Sequence, residues 1–294
     1  MKRVGCLFLA VAPIATVLVF LFGSGSESGD AQDGASSARH GSGGGSERSK
    51  DDAAVARMPP GLAAPGKKEI AQEIVASAEN STLDWKGQYG YIEDIGDGQG
   101  YTAGIIGFCT GTHDLLTLVR NYTDDHPDNG LAKYLPALRK VDGSDSHEGL
   151  DPGFPDAWRR EAGKPAFDRA QERERDEVYF DPAVRQGKLD GLSTLGQFIY
   201  YDAMVLHGPG TSGSGFYALV DRAKERADSP DEGGDEEKYL AAFLDVGEEA
   251  MKERRADIDT SRIDTAQRRF LDAGNFGLDK PLKWKVYGES YDIT

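Results

Sequence analysis

Between residues 23 and 58 the chain has almost no large apolar side chain, and Gly and Ser fill 16 of these 36 positions. Such a segment cannot repay the entropy of ordering, so it reads as a flexible tether. That confines any hydrophobic core to residues 59–294. Pro59-Pro60-Gly61 closes the tether, and the folded part is expected to begin near Pro65. Ahead of the tether, Lys2 and Arg3 precede a run from Val4 to Phe22 that is apolar apart from Gly5, Pro13 and Thr16. A positive start followed by an apolar run is the pattern of a secretory signal over residues 1–22. The run is also just long enough to cross a bilayer, so a cleaved signal and an uncleaved anchor both stay open. Either way the chain is expected to be exported, to the extracellular space or to the cell surface.

Charge is the second constraint. The chain carries 34 Lys+Arg against 50 Asp+Glu, a formal −16, and residues 59–294 hold all of it because the two preceding segments cancel. This balance disfavours nucleic acid and anionic membrane surfaces as partners. It suits either solubility alone or capture of a polycation. Beyond Cys6 the only cysteine is Cys109, in the apolar stretch Ile105-Ile106-Gly107-Phe108-Cys109. A disulfide framework is therefore excluded, and a buried, inert thiol is expected in preference to a nucleophile.

The patterning of residues 59–294 is mainly helical. Residues 67–79 place Ile70, Ile74, Val75 and Ala78 on one face, and residues 114–122 and 131–141 are also amphipathic. Residues 167–180 predict a charged helix with one apolar stripe. Asp181-Pro182 predicts a cap and first turn for a helix running through Leu189, Leu192 and Leu195 toward Met204. Residues 239–255 and 265–273 complete the helices. Only residues 87–107 look different, with Tyr89, Tyr91, Ile92, Tyr101, Ile105 and Ile106 set among glycines and acids as in a small sheet. The fold class is α+β, mainly α.

Familiar sites fail on spacing. The five histidines show no metal-binding pattern, 210–215 lacks a nucleophile-elbow register, and Gly96-Asp97-Gly98-Gln99-Gly100 is neither a dinucleotide fingerprint nor a calcium loop. Carboxylates remain. Glu79 ends the first amphipathic helix, where the macrodipole disfavours its charged form, as a general acid requires. Asp97 sits between two glycines, a setting that leaves it exposed, ionised and approachable. One acid held protonated and one left charged is the division of labour in a glycosidase pair.

A longer set of motifs adds to this. Ser77-Ala78-Glu79-Asn80-Ser81-Thr82-Leu83-Asp84-Trp85-Lys86 is followed by Tyr91-Ile92-Glu93-Asp94-Ile95-Gly96-Asp97-Gly98, then by Gly100-Tyr101-Thr102, Gly107-Phe108-Cys109 and Leu131-Ala132-Lys133-Tyr134-Leu135-Pro136. Val178-Tyr179-Phe180-Asp181-Pro182-Ala183 and Pro281-Leu282-Lys283-Trp284-Lys285 complete it. In this order they resemble the bacterial chitosanases of glycoside hydrolase family 46, from about Lys67 to the end of the chain.

The resemblance implies a lysozyme-like fold of two mainly helical lobes with a substrate cleft between them. It also implies endo-hydrolysis of β-1,4-linked glucosamine with inversion, by a monomer that needs no metal, organic cofactor or protein partner. By motif, Glu79 matches the general acid, Asp97 the general base and Thr102 a hydroxyl that helps hold the attacking water. Asp114 matches a carboxylate that binds a substrate ammonium, and Ser81, Tyr91, Gly107 and His207 match positions lining the cleft. Asp202 and Arg262 match a charged network behind the acid.

Two positions depart from the pattern. Gln99 stands where relatives commonly carry a basic residue, and Gly247 stands where the network of relatives includes an arginine. Arg254 and Arg255 are candidate substitutes for that arginine. Chitosan is polycationic below its amine pKa, so an acidic domain attracts it. A hydrolase acting on another amino-sugar polymer, and a non-catalytic binder of cationic polysaccharide, remain as alternatives. The plainer readings are core roles for Trp85, Trp158 and Trp284, a surface place for His113, a loop-positioning role for His207 and solvated roles for Glu93 and Asp94.

Overall fold

The computed structural model describes residues 44–294; the expected export signal, the first part of the tether, Cys6 and His40 lie outside the described residues. Residues 44–58 differ from the tether expectation, because Gly44–Val55 forms a helix, α1. Its sequence explains this locally: Arg48 and Asp52 stand one helical turn apart, and Ala53-Ala54 follow them. Helix α1 belongs to a compact unit separate from that of residues 59–294.

Residues 59–294 form helices α2 (Pro65–Glu79), α3 (Asp114–Asp125), α4 (Leu135–Val141), α5 (Phe154–Glu161), α6 (Pro165–Arg175), α7 (Asp181–Leu189), α8 (Thr194–His207), α9 (Phe216–Lys224), α10 (Glu236–Arg254) and α11 (Arg268–Asp272). The glycine-rich segment gives a small antiparallel sheet of β1 (Ile92–Asp94), β2 (Tyr101–Ala103) and β3 (Phe108–Cys109), with Thr102 opposite Glu93 and Cys109. A second antiparallel pair, β4 (Leu282–Val286) and β5 (Glu289–Ile293), closes the chain. Helix-dominated α+β is therefore the class observed.

The helix expected from Asp181 toward Met204 is two helices. Gly191 adopts φ +74° behind α7, and the Ser193 hydroxyl accepts from Gly196 N at 3.3 Å to start α8. Asp181 is no cap either, since α6 runs into α7 through a π-helical turn, Asp176–Phe180. Pro182 donates no N–H and crowds the preceding turn, and the helix widens there instead of stopping. The run Pro165–Leu189 thus joins two packing groups, with α3 against α6 on one side and α8 against α7 on the other.

Helix α8 is buried along almost its whole length, Leu195 to His207, so it is the axis of the core. Helix α2 packs on it, and Tyr201 donates to Gln72 across the contact at 2.9 Å. The three tryptophans are core residues: Trp85 bonds Glu69 at 3.1 Å, Trp158 bonds the Tyr89 carbonyl at 3.0 Å, and Trp284 bonds Ser77 Oγ at 3.0 Å. That last bond ties the C-terminal hairpin to the final turns of α2. The end of α2 is therefore fixed from two sides.

Candidate active site

Glu79 is the last residue of α2 and continues its buried stripe of Ile74, Val75 and Ala78. The helix stops there because Asn80 leaves the helical region and Ser81 takes φ +53°. Glu79 is only 4% exposed, so its carboxylate needs a partner. Arg262 supplies one, with Nη1 at 2.5 Å from Glu79 Oε1.

Arg262 is held in turn by Asp202 on α8, through Nε to Oδ2 at 2.8 Å and Nη2 to Oδ1 at 3.0 Å. Gln267 Nε2 donates to Asp202 Oδ2 at 2.5 Å. A π-helical turn, Arg262–Gln267, makes this geometry, since its extra residue per turn sets Arg262, Ala266 and Gln267 on the buried side together. Burial pulls the Arg262 pKa down, but the charges of Asp202 and Glu79 outweigh it and hold the guanidinium well above its usual value. One fixed positive charge is thus shared between two buried carboxylates.

The two expected substitute arginines have partners of their own. Arg254 Nε donates to Ser214 Oγ at 2.8 Å, and Arg255 pairs with Asp257 at 3.1 Å. At Gly247 an added Cβ would meet only Ile263 Cδ1 within 4 Å among the described residues, at 3.4 Å.

The small sheet builds a second cluster. Asp97 is half-buried between Gly96 (φ +73°) and Gly98 (φ +85°), neither of which has an atom within 4 Å of a Cβ position. Asp97 is thus less exposed than its glycine flanks suggest, and its Oδ2 is buried. Asp97 Oδ1 accepts from Gln99 N at 3.0 Å, and the Gln99 carbonyl takes Gly111 N at 2.9 Å and the Thr110 hydroxyl at 3.0 Å. The loop bearing Asp97 is thereby fastened to the end of β3. Gln99 itself is fully buried.

Thr102 is buried on β2, with Oγ1 at 3.2 Å from Cys109 Sγ. Burial, reinforced by the charges of Asp114 and Asp97, raises the Cys109 thiol well above its usual pKa. A thiol that is buried and held protonated is no nucleophile. Gly107 (φ +73°) accepts the Cys109 S–H on its carbonyl at 3.1 Å.

Asp114 starts α3. Its Oδ1 accepts from Cys109 N, Leu115 N and the Thr112 hydroxyl at 2.8, 2.9 and 2.7 Å, and its Oδ2 from the Tyr179 hydroxyl at 2.9 Å. Burial raises its pKa against those donors. Oδ2 keeps a lone pair that these bonds do not use. Tyr179, on the π-helical turn Asp176–Phe180, is a site residue that the sequence reading missed, although its motif was noted.

Glu79, Asp202 and Arg262 thus share one network, while Thr102, Gly107 and Asp114 bond Cys109, and Asp97 sits on the loop fastened to the end of β3. Ser81, exposed, and Tyr91, half-buried, lie on the segment that links the two. His207 is buried at the end of α8 instead of facing solvent. Burial, with the charges of Arg254, Arg262 and Arg222, lowers its pKa well below the usual value against a bond to the Ser214 backbone. His113 is a surface residue bonded to Asp142 at 2.7 Å. Among the described residues no group of three His, Cys, Asp or Glu side chains converges as metal ligands.

The sequence matches the pattern of Glycosyl hydrolase family 46 over residues 73–282. It is 59% identical over 234 residues to a chitosanase of Streptomyces sp. (strain N174), covering 80% of this chain and 84% of that one. Chitosanase OU01, solved with substrate, superposes with a TM-score of 0.78 at 54% identity, over 79% of this chain and 98% of that one. A chitosanase of Gynuella sunshinyii, solved with chitotetraose, gives a TM-score of 0.71 at 31% identity, over 77% and 97%.

Proposed function

Because the chain belongs to glycosyl hydrolase family 46 and is a glycoside hydrolase, we propose that it cleaves chitosan internally by an inverting, single-displacement reaction. The observation that carries this reading is the contrast between its two carboxylates. Glu79 is buried at a helix end against Arg262, which Asp202 holds, whereas Asp97 stands half-buried between two glycines. In this reading the more buried carboxylate, Glu79, is the acid, and Asp97 is the base.

In this mechanism Glu79 protonates the leaving glycosidic oxygen. The carboxylate so formed is received by Arg262 Nη1, already in place, so its charge develops against a fixed donor without reorganisation. Asp97 takes a proton from a water on the opposite face of the sugar, and that water attacks the anomeric carbon. Thr102, whose hydroxyl keeps a hydrogen-bonding site beyond Cys109, helps to hold the water. Asp114 binds a glucosamine ammonium through the remaining capacity of Oδ2, as a charge-assisted hydrogen bond. Ser81, Tyr91 and Gly107 border the sugar path, and His207 positions the loop after α8.

The acidity of residues 59–294 draws in the polycation, the protein acts as an exported monomer, and the apolar start of the chain directs that export. The test is reducing-end release from highly deacetylated chitosan, from chitin and from peptidoglycan, at rising salt. The expected result is release from chitosan alone, slowing as salt screens the attraction. Release from chitin or peptidoglycan instead would make this a hydrolase of another amino-sugar polymer. Binding to chitosan without release would make it a binding protein.

A further inference from the structure

The hydroxyl of Thr102 and the thiol of Cys109 face each other across the small sheet. The two residues are cross-strand partners in β2 and β3, so their side chains leave the same face. Both are buried. Thr102 Oγ1 lies 3.2 Å from Cys109 Sγ, and Sγ lies 3.1 Å from the Gly107 carbonyl oxygen. Two hydrogen bonds thus meet at one sulfur.

Counting protons gives each bond a direction. A thiol and a hydroxyl bring one proton each, whereas a carbonyl oxygen only accepts. The bond to Gly107 O therefore uses the Cys109 proton. With that proton spent, the bond between Sγ and Oγ1 is made by the Thr102 O–H, donating to sulfur. The nearby Thr112 hydroxyl gives its own proton to Asp114 Oδ1 at 2.7 Å and supplies neither bond. Burial raises the Cys109 pKa well above its usual value, so the proton that sets this order stays on sulfur. Thr102 Oγ1 keeps both lone pairs and has no free proton.

We infer that Cys109 is a positioning residue for the attacking water: by taking the Thr102 proton, it leaves the Thr102 hydroxyl to meet that water as an acceptor. This rests on the role proposed above for Thr102. The consequence is chemical. A water that gives one O–H to Asp97 and the other to Thr102 has both protons engaged, and a lone pair is free to turn toward the anomeric carbon. As the new C–O bond forms and the glycosidic C–O bond breaks, one water proton passes to Asp97 and the Glu79 proton leaves with the glycosidic oxygen. The second water proton stays on the anomeric hydroxyl of the product. A Thr102 hydroxyl that donated would instead occupy a lone pair of the water and compete with attack.

The test is a double-mutant cycle in the full chain, with kcat and KM measured on highly deacetylated chitosan. Cys109→Ala is expected to lower kcat about tenfold at unchanged KM, and to change it less than about twofold when Thr102→Val is already present, because Cys109 acts through Thr102. Cys109→Ser, whose hydroxyl can donate to Gly107 O and accept from Thr102, is expected to recover most of the turnover. No loss in Cys109→Ala, or the same loss in both backgrounds, overturns the inference. The infrared S–H stretch of Cys109, isolated by subtracting the spectrum of Cys109→Ser, reads the direction without turnover and decides if Cys109→Ala misfolds. It is expected to keep a hydrogen-bonded position in Thr102→Val, and a move to the position of a free thiol overturns the inference. If the wild type leaves chitosan uncleaved while that band stays in place, the function reading falls and the orientation of the Thr102 hydroxyl stands. If chitosan is cleaved and the two substitutions are additive, the role of Cys109 alone falls.

Discussion

Arg262 holds Glu79 and Asp202 at once, with Nη1 at 2.5 Å from one carboxylate and the Nε and Nη2 edge at 2.8 and 3.0 Å from the other. The bidentate grip on Asp202 is the geometry that fixes a guanidinium most firmly. Glu79 therefore meets a donor whose position Asp202 sets. Asp202 thus reaches Glu79 through Arg262.

Removing Arg262 leaves two buried carboxylates uncompensated. Arg262→Met is expected to lose activity and to destabilise the protein by about 3–5 kcal/mol, the usual cost of breaking a buried pair. Arg262→Lys keeps the charge but not the fork, and is expected to recover part of the stability and little of the turnover. Thermal unfolding and initial rates on chitosan check both.

Asp202→Asn is a subtler change, because it takes away one of the two negative charges that share Arg262. The guanidinium then favours an ionised Glu79 more strongly. The acid form of Glu79 is lost at lower pH, so the alkaline limb of the rate profile is expected to move downward in pH while KM stays near that of the wild type. An unmoved alkaline limb would separate Asp202 from the acid.

Asp114 gives a pH dependence of the opposite kind. Burial holds its carboxyl above the ordinary aspartate value of 3.8, against its four donors. An ammonium is bound by the ionised form. Affinity for glucosamine oligomers is therefore expected to fall as pH drops through this raised pKa, at a higher pH than for an exposed aspartate. Asp114→Asn removes that dependence and weakens binding throughout, by about 1.5–3 kcal/mol if one charge-assisted hydrogen bond is lost. KM measured against pH for both proteins reads the difference.

Buried His207 links pH to stability. Its folded pKa lies well below the ordinary histidine value of 6.5, because burial and three arginines oppose protonation. The unfolded chain takes up that proton near the ordinary value and the folded chain does not. Stability from this residue is thus complete above about pH 6.5 and declines as pH falls below it. His207→Gln is expected to flatten the change of Tm between about pH 7 and pH 5. An unchanged slope would place His207 outside this linkage.

Much of this arrangement was legible in the sequence, and for identifiable reasons. The stripe Ile70, Ile74, Val75, Ala78 defines α2 and its end, and Glu79 stands where that stripe stops. The glycines around Asp97 announce the turn they make. The π-helical turn at Arg262–Gln267 has no such signature, because a widened turn reads as an ordinary helix start, and so Gln267 was not visible as a partner of Asp202. Tyr179 was hidden the same way, on the turn Asp176–Phe180. The hairpin Leu282–Ile293 was missed although Leu282, Trp284 and Val286 alternate with two lysines, a clear period of two once looked for. Helix α1 was missed because local helix propensity acts where no core is being built.

The most direct test of the proposed chemistry is the anomeric configuration of the first reducing ends released from highly deacetylated chitosan, followed by NMR, for the wild type beside Glu79→Gln and Asp97→Asn. Inversion with Glu79 as acid and Asp97 as base predicts α-configured oligomers from the wild type and hardly any product from either variant, with both variants folded. Initial β-configured product, or near-normal turnover in Glu79→Gln, would contradict it.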